Sequence, residues 1–483
     1  MNIVEMLVFA AYFVFMLGIG MYFFFKSKGA GEKDYFLGGR NMGAWVSALS
    51  AGASDMSAWV LMGLPASIYA FGIGQTWIAI GLGIGYALSW IFVASRLRRF
   101  SIAAKDSITI PQYLTNRFLS SNKSLQVLCA GIFLVAYTIY AASSIKACGT
   151  LFNTVMNIDA TVAMYLAAFI IIAYTFLGGF SAVCWTDFFQ GLIMLAALLL
   201  APIFALALVG RGEGAVNAQL PDGFFHFFTS PQDIISGLGW GLGYFGMPHI
   251  IIRFMSIKSE KELRKSSVIG ISWTVIILVM SALTAVAGRL YLGEIADSST
   301  VFITMVRRIF PALVSGLLLS AILSAAMSTA DSQLLAASSA FASDVYKPLI
   351  RKSASDKEML WAGRIVVAGI AIVALMIASN PNSASIMGLV ENAWGVFGAA
   401  FGPVILLSLY WKKMTFGGAV AGIAVGADVD VLWLIFAGST GIYEIVPGFI
   451  AGLLATWIVS ALSKAGPGAQ VETLFDAASK SES

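Results

Sequence analysis

The stretch SAGASDMSAWVLMGLP, Ser50–Pro65, places Asp55 in the middle of a run that otherwise reads as membrane. Small residues crowd in before the aspartate, and Trp59 follows one turn later. A carboxylate in hydrocarbon costs about 3 kcal/mol on insertion scales, and such groups mark ion paths, buried partners or water-filled cavities. The small residues around Asp55 point to an interrupted helix rather than a continuous span.

The 483 residues are 59% hydrophobic and 11% charged, with a mean hydropathy of +0.86. A soluble domain carries about 25% charged residues, so the fold class is an all-α polytopic membrane protein. A helix needs about 20 apolar residues to cross a bilayer. Thirteen runs qualify, at 4–25, 44–70, 73–95, 125–145, 160–179, 186–210, 233–253, 267–290, 302–342, 363–380, 386–411, 416–438 and 444–463. The 302–342 run is long enough for a span with an extension or for two helices. Val4–Phe25 is too long, and lacks the basic flank and cleavage site, to be a signal peptide. With the N-terminus outside, the outer segments hold only five of the 29 Lys and Arg: Lys146, Arg211, Arg289, Arg307 and Arg308. That bias puts the C-terminus in the cytoplasm. Residues 1–465 form one transmembrane domain, and 466–483 form a cytoplasmic tail that reads as unstructured by composition.

Three cysteines, none in a C-x-x-C pair, and two histidines fit neither a disulfide framework nor a zinc site. GLGYFG, Gly241–Gly246, has the spacing of a dinucleotide fingerprint but follows no strand, so that reading fails. With no nucleophile–base pair or cofactor loop, the chain is not expected to be an enzyme, and nothing suggests nucleic acid or an obligate protein partner. A channel and a sensor are the other rival classes. Broken helices argue against the first, and the short tail against the second. The glycines of 417–426 and 448–452 read as close helix packing.

Transporters built from inverted repeats place their sites where helices are broken near the midplane, and unwound carbonyls there bind a cation. GWGLGYFGMPHII, Gly239–Ile251, is a second break, with four glycines and Pro248 inside an apolar run. The two breaks lie five runs apart. Repeats at 44–210 and 233–411 follow, with 4–25, 416–438 and 444–463 as additional helices.

Asp55 is then read as a carboxylate near a hard cation, whose ligands are oxygens, against the alternative of a group satisfied by backbone at the break. In Ser324–Ser339, residues three and four apart share a helix face. Ala325, Ser328 and Thr329 therefore line one side of an ion pocket, or the hydroxyls bond back to their own helix. A weak all-oxygen site of this kind suits Na+. Asp187 reads as a helix N-cap or as a carboxylate on an ion path. Trp59, Tyr140 and Trp240 matter only if they converge on one cavity.

The chain resembles the sodium:solute symporter family, and within it the proline branch. The matching stretches run in family order: DYFLGGRNMG, LSAGASDMSAWVLMGLP, TIPQYLTNRF, TIYAASSI, LGGFSAVCWTDFFQ, GWGLGYFGMPHIIIRFM, LSAILSAAMST, SQLLAASSA, FGAAFGPV and YEIVPGF. The resemblance implies a LeuT-like 5+5 inverted repeat and Na+-coupled uptake of L-proline across the bacterial inner (plasma) membrane. Another small amino acid or a monocarboxylate is the alternative cargo. It implies Na+ held by the carbonyls of Ala53, Met56 and Ala325 and the hydroxyls of Ser328 and Thr329, with Asp55 the essential carboxylate. It places Ser57, Trp59, Tyr140 and Trp240 around the substrate, with Tyr244 and Pro248 shaping that pocket. Asp187 falls on the sodium path, and Arg40 influences coupling. Four features depart from the family pattern. Ala58 replaces a glycine, and Asp331 adds an acid near the ion site. The 291–300 loop is short, and Asp428 and Asp430 sit inside one span with no evident partners.

Overall fold

The computed structural model describes residues 2–26, 32–175, 179–214, 220–464 and 466–480. Among these residues the chain is helical, with one isolated parallel bridge between Met42 and Ile257. In chain order the main helices are α1 (Ile3–Lys26), α2 (Ala44–Asp55), α3 (Gly63–Phe71), α4 (Ile73–Ala103), α5 (Ser124–Met156), α6 (Ala160–Thr175) and α7 (Phe180–Gly210). There follow α8 (Pro231–Gly239), α9 (Pro248–Ser256), α10 (Glu260–Leu292), α11 (Val301–Ile309), α12 (Ala312–Ile350) and α13 (Asp356–Ser379). The series ends with α14 (Ile386–Tyr410), α15 (Phe416–Phe436), α16 (Ile445–Leu462) and α17 (Ala469–Ser479).

Ten of these, α1, α4, α5, α7, α10 and α12 to α16, are long and apolar enough to cross a bilayer. The other expected spans take different forms. Run 44–70 is divided into α2 and α3 by a non-helical Met56–Ser57 joint. Run 233–253 is divided into α8 and α9 by the 3-10 turn Trp240–Phe245. Run 160–179 becomes the shorter α6, and 176–178 lie outside the described residues. Run 302–342 is two helices. Phe310 and Pro311 are extended, which ends α11 and starts α12.

The first break follows from hydrogen-bond accounting. Met56 N still donates to Gly52 O at 2.8 Å, but Ser57 N turns back to Asp55 O at 2.9 Å. The Ala53 carbonyl therefore loses its normal i+4 partner, and a freed carbonyl in this medium must be satisfied by a neighbouring element. The second break has a covalent cause. Pro248 has no N–H, so the Tyr244 carbonyl has no helical donor, and Ser89 Oγ donates to it at 2.9 Å instead. The 3-10 turn lies close against α4, where a Cβ on Gly85 would stand 2.2 Å from Gly241 O. The expected glycine packing of α15 is also present. A Cβ on Gly422 would stand 1.8 Å from Thr456 Oγ1 on α16.

At one end of the bundle the two broken segments are tied together. Met42 N donates to Ser256 O at 3.2 Å, and Lys258 N to Met42 O at 3.1 Å. Arg40 completes the clasp. It donates to Met255 O (2.6 Å), Ser107 O (2.8 Å), Ser101 Oγ (3.1 Å) and Asp106 Oδ1 (2.9 Å). Lys33 Nζ is 2.5 Å from the other Asp106 oxygen. Burial acts to raise the Asp106 carboxyl, but the Lys33 hydrogen bond and the Arg40 charge outweigh it and hold it below the usual carboxylate range.

The tail is not unstructured. α17 lays Val471, Phe475 and Ala478 against the bundle, with Phe475 packed edge-on to Phe100 at 5.3 Å and the Arg117 guanidinium 5.0 Å over its ring. Lys412 pairs with Asp476 at 2.7 Å and Glu472 at 3.5 Å. Composition missed it because an eleven-residue helix carries few apolar side chains and is held by its partners rather than by propensity.

Two outcomes are expected. Phe475→Ala removes the anchor of α17, so amide exchange across 469–479 should rise toward that of a free peptide while the spans keep their protection. Unchanged exchange would contradict the docking. Asp106 is depressed in the fold, so its contribution is fully present above its unfolded value of about 4 and is lost as pH falls through the lower folded value. Protection of the Arg40 segment should therefore hold at neutral pH and fail in acid, and Asp106→Asn should show the acid behaviour throughout.

Candidate ion and substrate site

The break between α2 and α3 faces α12. Ser328 Oγ lies 2.8 Å from the freed Ala53 carbonyl and 3.2 Å from the Ala325 carbonyl one turn back. One hydroxyl hydrogen serves one of these at a time, so back-bonding and bridging compete at this residue. Thr329 Oγ1, its neighbour, is buried with no partner among the described residues. Ala53, Ala325, Ser328 and Thr329 are thus brought together, fully buried, across two helices. Met56 forms the joint itself.

Asp55 is fully buried, and backbone does not satisfy it. Tyr244 Oη donates to Asp55 Oδ2 at 2.6 Å, and Asp55 Oδ1 has no partner. The hydrogen bond joins the first break to the second. Trp59 Nε1 donates at 3.3 Å to the Asp55 carbonyl, which also accepts Ser57 N at 2.9 Å. Ser57 Oγ and Tyr140 Oη are buried without partners. Thr329, Ser57 and Tyr140 thus each offer a hydroxyl, and Asp55 a carboxylate oxygen, that is unpaired among the described residues. In a low-dielectric interior such groups are costly unless a ligand pairs with them.

Aromatic rings wall this region. Tyr244 meets Tyr86 and Trp394 edge-on at 5.1 and 5.0 Å, and Tyr140 faces His249 at 6.3 Å. Trp240 joins through Trp394, whose Nε1 donates to Trp240 O at 2.8 Å, and its ring faces Tyr443 at 5.0 Å. Pro248 opens α9 and acts through the carbonyl it releases. Trp394, Tyr86 and His249 were not singled out from the sequence, because an aromatic in a span carries no signal until its neighbours are known. At the α3 end, a cavity of about 550 Å³ is lined by residues including Ser67, Lys146, Asp297 and Glu391.

Asp187 is not a helix cap. α7 begins at Phe180 with Gly179 before it, so Asp187 stands two turns inside. Its partner is Arg253 of α9, with Nη2 to Oδ2 at 3.2 Å and both side chains buried. Ser50 of α2 donates to the same oxygen at 2.6 Å and receives Arg253 Nε at 3.1 Å. Arg253 also donates to the His249 carbonyl and to Ser332 of α12. Asp331 is buried beside Ser332, with Ser332 Oγ 3.4 Å from one oxygen and no partner for the other. Asp187 and Asp331 thus belong to one buried network with Arg253. Arg253 was counted among loop cations. The signal was present in HIIIRFM, where a lone arginine follows an apolar run with no polar flank. Arg40 lies apart from both clusters, in the clasp.

The sodium:solute symporter family model matches residues 35–426. The chain is 45% identical over 471 residues to the high-affinity proline transporter PutP of Bacillus subtilis, covering 95% of this chain and 98% of that one. It is 44% identical over 465 residues to the osmoregulated proline transporter OpuE of the same organism, covering 94% of each. It is 42% identical over 502 residues to a sodium/proline symporter of Haemophilus influenzae, covering 99% and 98%. Among solved structures, a Na+-coupled sialic acid symporter in a substrate-bound, outward-open state superposes with a TM-score of 0.77 at 22% identity, over 96% of this chain and 98% of that one. Mhp1, a nucleobase–cation symporter, superposes at 0.58 and 15% identity, over 91% and 97%. The fold is therefore the LeuT-like one that the resemblance implies, and the chain belongs to the sodium:solute symporter family.

Proposed function

We propose that this chain couples inward Na+ movement to uptake of L-proline across the bacterial plasma membrane. The observation that carries the ion half is the Ala53 carbonyl, released by the α2–α3 joint and facing the Ser328 hydroxyl at 2.8 Å. The cargo half is supported by near full-length identity of 42–45% to proteins named as proline transporters and symporters. Repeats at 44–210 and 233–411, with the N-terminus outside, complete the reading. The relatives are named transporters, and the chain is read as a transporter rather than an enzyme.

In this mechanism Na+ displaces the Ser328 hydrogen bond and takes the carbonyls of Ala53, Met56 and Ala325 with the Ser328 and Thr329 hydroxyls. The ion then pins α2 to α12. Asp55 supplies negative potential beside that site and, through Tyr244, carries the state of the first break to the second. The ring of proline is apolar, while its carboxylate and ammonium need a few polar partners, which is the pattern of most small-molecule sites. Ser57 and Tyr140 are the free donors for the carboxylate, and the faces of Trp59 and Trp240 suit the ammonium. Ala58 narrows the pocket next to Ser57. Asp187 and Asp331 line the ion's exit past Arg253, and Arg40 holds that exit shut by its clasp on Met255.

Proteoliposomes holding the purified chain should concentrate radiolabelled L-proline only when an inward Na+ gradient is imposed. Uptake independent of Na+ would contradict the coupling, and uptake of another solute alone would contradict the cargo. Asp55→Asn and the double variant Ser328→Ala/Thr329→Ala should abolish Na+-driven uptake. Tyr244→Phe removes one hydrogen bond to a charged group, worth about 1.5–3 kcal/mol, and should weaken proline binding tenfold or more. Breaking a buried ion pair from one side costs about 3–5 kcal/mol. Arg253→Gln should therefore lower stability far more than Arg253→Gln combined with Asp187→Asn. Equal losses in the two would contradict the pairing.

A further inference from the structure

A second group of acids lies outside the site described above. Asp430 is on α15, six residues before its end, and is 1% exposed. Glu444 precedes α16 and is 6% exposed. Both turn toward Gly395 on α14. The point at which a Cβ on Gly395 would stand is 2.8 Å from Asp430 Oδ2, 3.3 Å from Asp430 Oδ1 and 3.3 Å from Glu444 Cγ. Only a residue without a side chain leaves that space open.

Among the described residues, one oxygen of each carboxylate is left unsatisfied. Asp430 Oδ2 and Glu444 Oε1 are buried and have no hydrogen-bond partner among the described residues. Among the described residues, no Lys, Arg or His forms an ion pair with either. The other groups facing them are Glu391, one turn before Gly395 on α14, and Tyr443, whose hydroxyl is already committed to the Glu391 carbonyl at 2.8 Å. Asp428, two residues from Asp430, is exposed and points away. Glu391 also lines the cavity at the α3 end. Two buried acids with no counter-charge are costly to keep ionised in a low-dielectric interior. Neutralisation must come from a small hard species that carboxylate oxygens bind, which is a proton or an alkali cation.

We propose that Asp430 and Glu444, over Gly395, form a second cation site that takes up one proton or one Na+, separate from the site between α2 and α12. Trp394, one residue before Gly395 on α14, and Tyr443, one residue before Glu444, both pack on Trp240 of the broken segment. Charge taken up there is therefore placed to bias the packing of that segment.

The test uses the full chain in detergent, with no need for a transported solute, so it reads independently of the cargo assignment. Bound ²²Na+ per chain is counted at saturation, and thermal unfolding is followed from mildly acidic to mildly alkaline pH, for the wild type, Asp430→Asn and Glu444→Gln. If the site takes Na+, each variant should bind one ion fewer than the wild type, while Ser328→Ala/Thr329→Ala should lose the other ion and leave this one. If it takes a proton, the ²²Na+ count should not change. The wild type should instead lose stability as pH rises, because the folded pair holds a proton that the unfolded chain does not, and both variants should lose less. Either result supports the site and names the cation. An unchanged ion count together with an unchanged pH dependence in both variants would overturn it. Should Asp430→Asn fail to fold, Glu444→Gln gives the same reading from the other side of the pair.

Discussion

A backbone carbonyl released inside a membrane bundle has to find a partner, and most of this structure follows from where two such sets of carbonyls are released. At Met56–Ser57 the chain leaves the helix, and Ala53 and Asp55 lose their ordinary donors. At Pro248 a missing N–H does the same to Tyr244. For Ala53 and Tyr244 the partners come from elsewhere in the fold, Ser328 from α12 and Ser89 from α4, while Asp55 is served locally by Ser57 N and the Trp59 indole. Each break is thereby fixed to a different element, and the Tyr244–Asp55 hydrogen bond fixes the breaks to each other. An ion that competes for the Ala53 carbonyl acts on all of these contacts at once. That is a physical route from ion occupancy to the shape of a neighbouring pocket, and binding linkage makes it reciprocal.

Much of this was legible in the sequence. Asp55 among small residues and Pro248 among glycines announce the breaks. The 3.6-residue spacing of Ala325, Ser328 and Thr329 puts them on one face. What the sequence does not carry is which face meets which. Arg253 looked like a loop cation because charge counting treats a basic residue at the end of an apolar run as a boundary. Here its guanidinium turns inward onto Asp187, Ser50 and Ser332. Asp187 looked like a cap because the start of α7 was placed too late. The 302–342 run leaves one extended span and two helices both open, because hydropathy averages across the two extended residues that divide it. The tail helix was invisible because its stability lies in Phe100, Arg117 and Lys412, far from it in sequence.

The buried ionic groups share a logic. The Arg253 network joins α2, α7, α9 and α12 with one charge of each sign satisfied and a spare acid, Asp331, beside it. Around the Asp430–Glu444 pair the described residues supply acids and no paired base. The first arrangement is locked until something competes for its carboxylates, and the second is incomplete until a cation arrives. Both are buried in the bundle, the first on the broken segments themselves and the second at Gly395 and Glu444, one residue from Trp394 and Tyr443, which pack on Trp240. That is where polar groups in a bilayer are tolerated and where they can respond to a ligand.

The central claim is that Na+ at the α2–α12 junction and proline at the adjoining pocket stabilise one another. Equilibrium binding on the purified chain tests it most directly: the proline dissociation constant measured without and with saturating Na+, and the Na+ constant without and with saturating proline. The account predicts that both constants fall, and by the same factor. Proline binding that is tight without Na+ and unchanged by it would contradict the account, whatever the transport assays report.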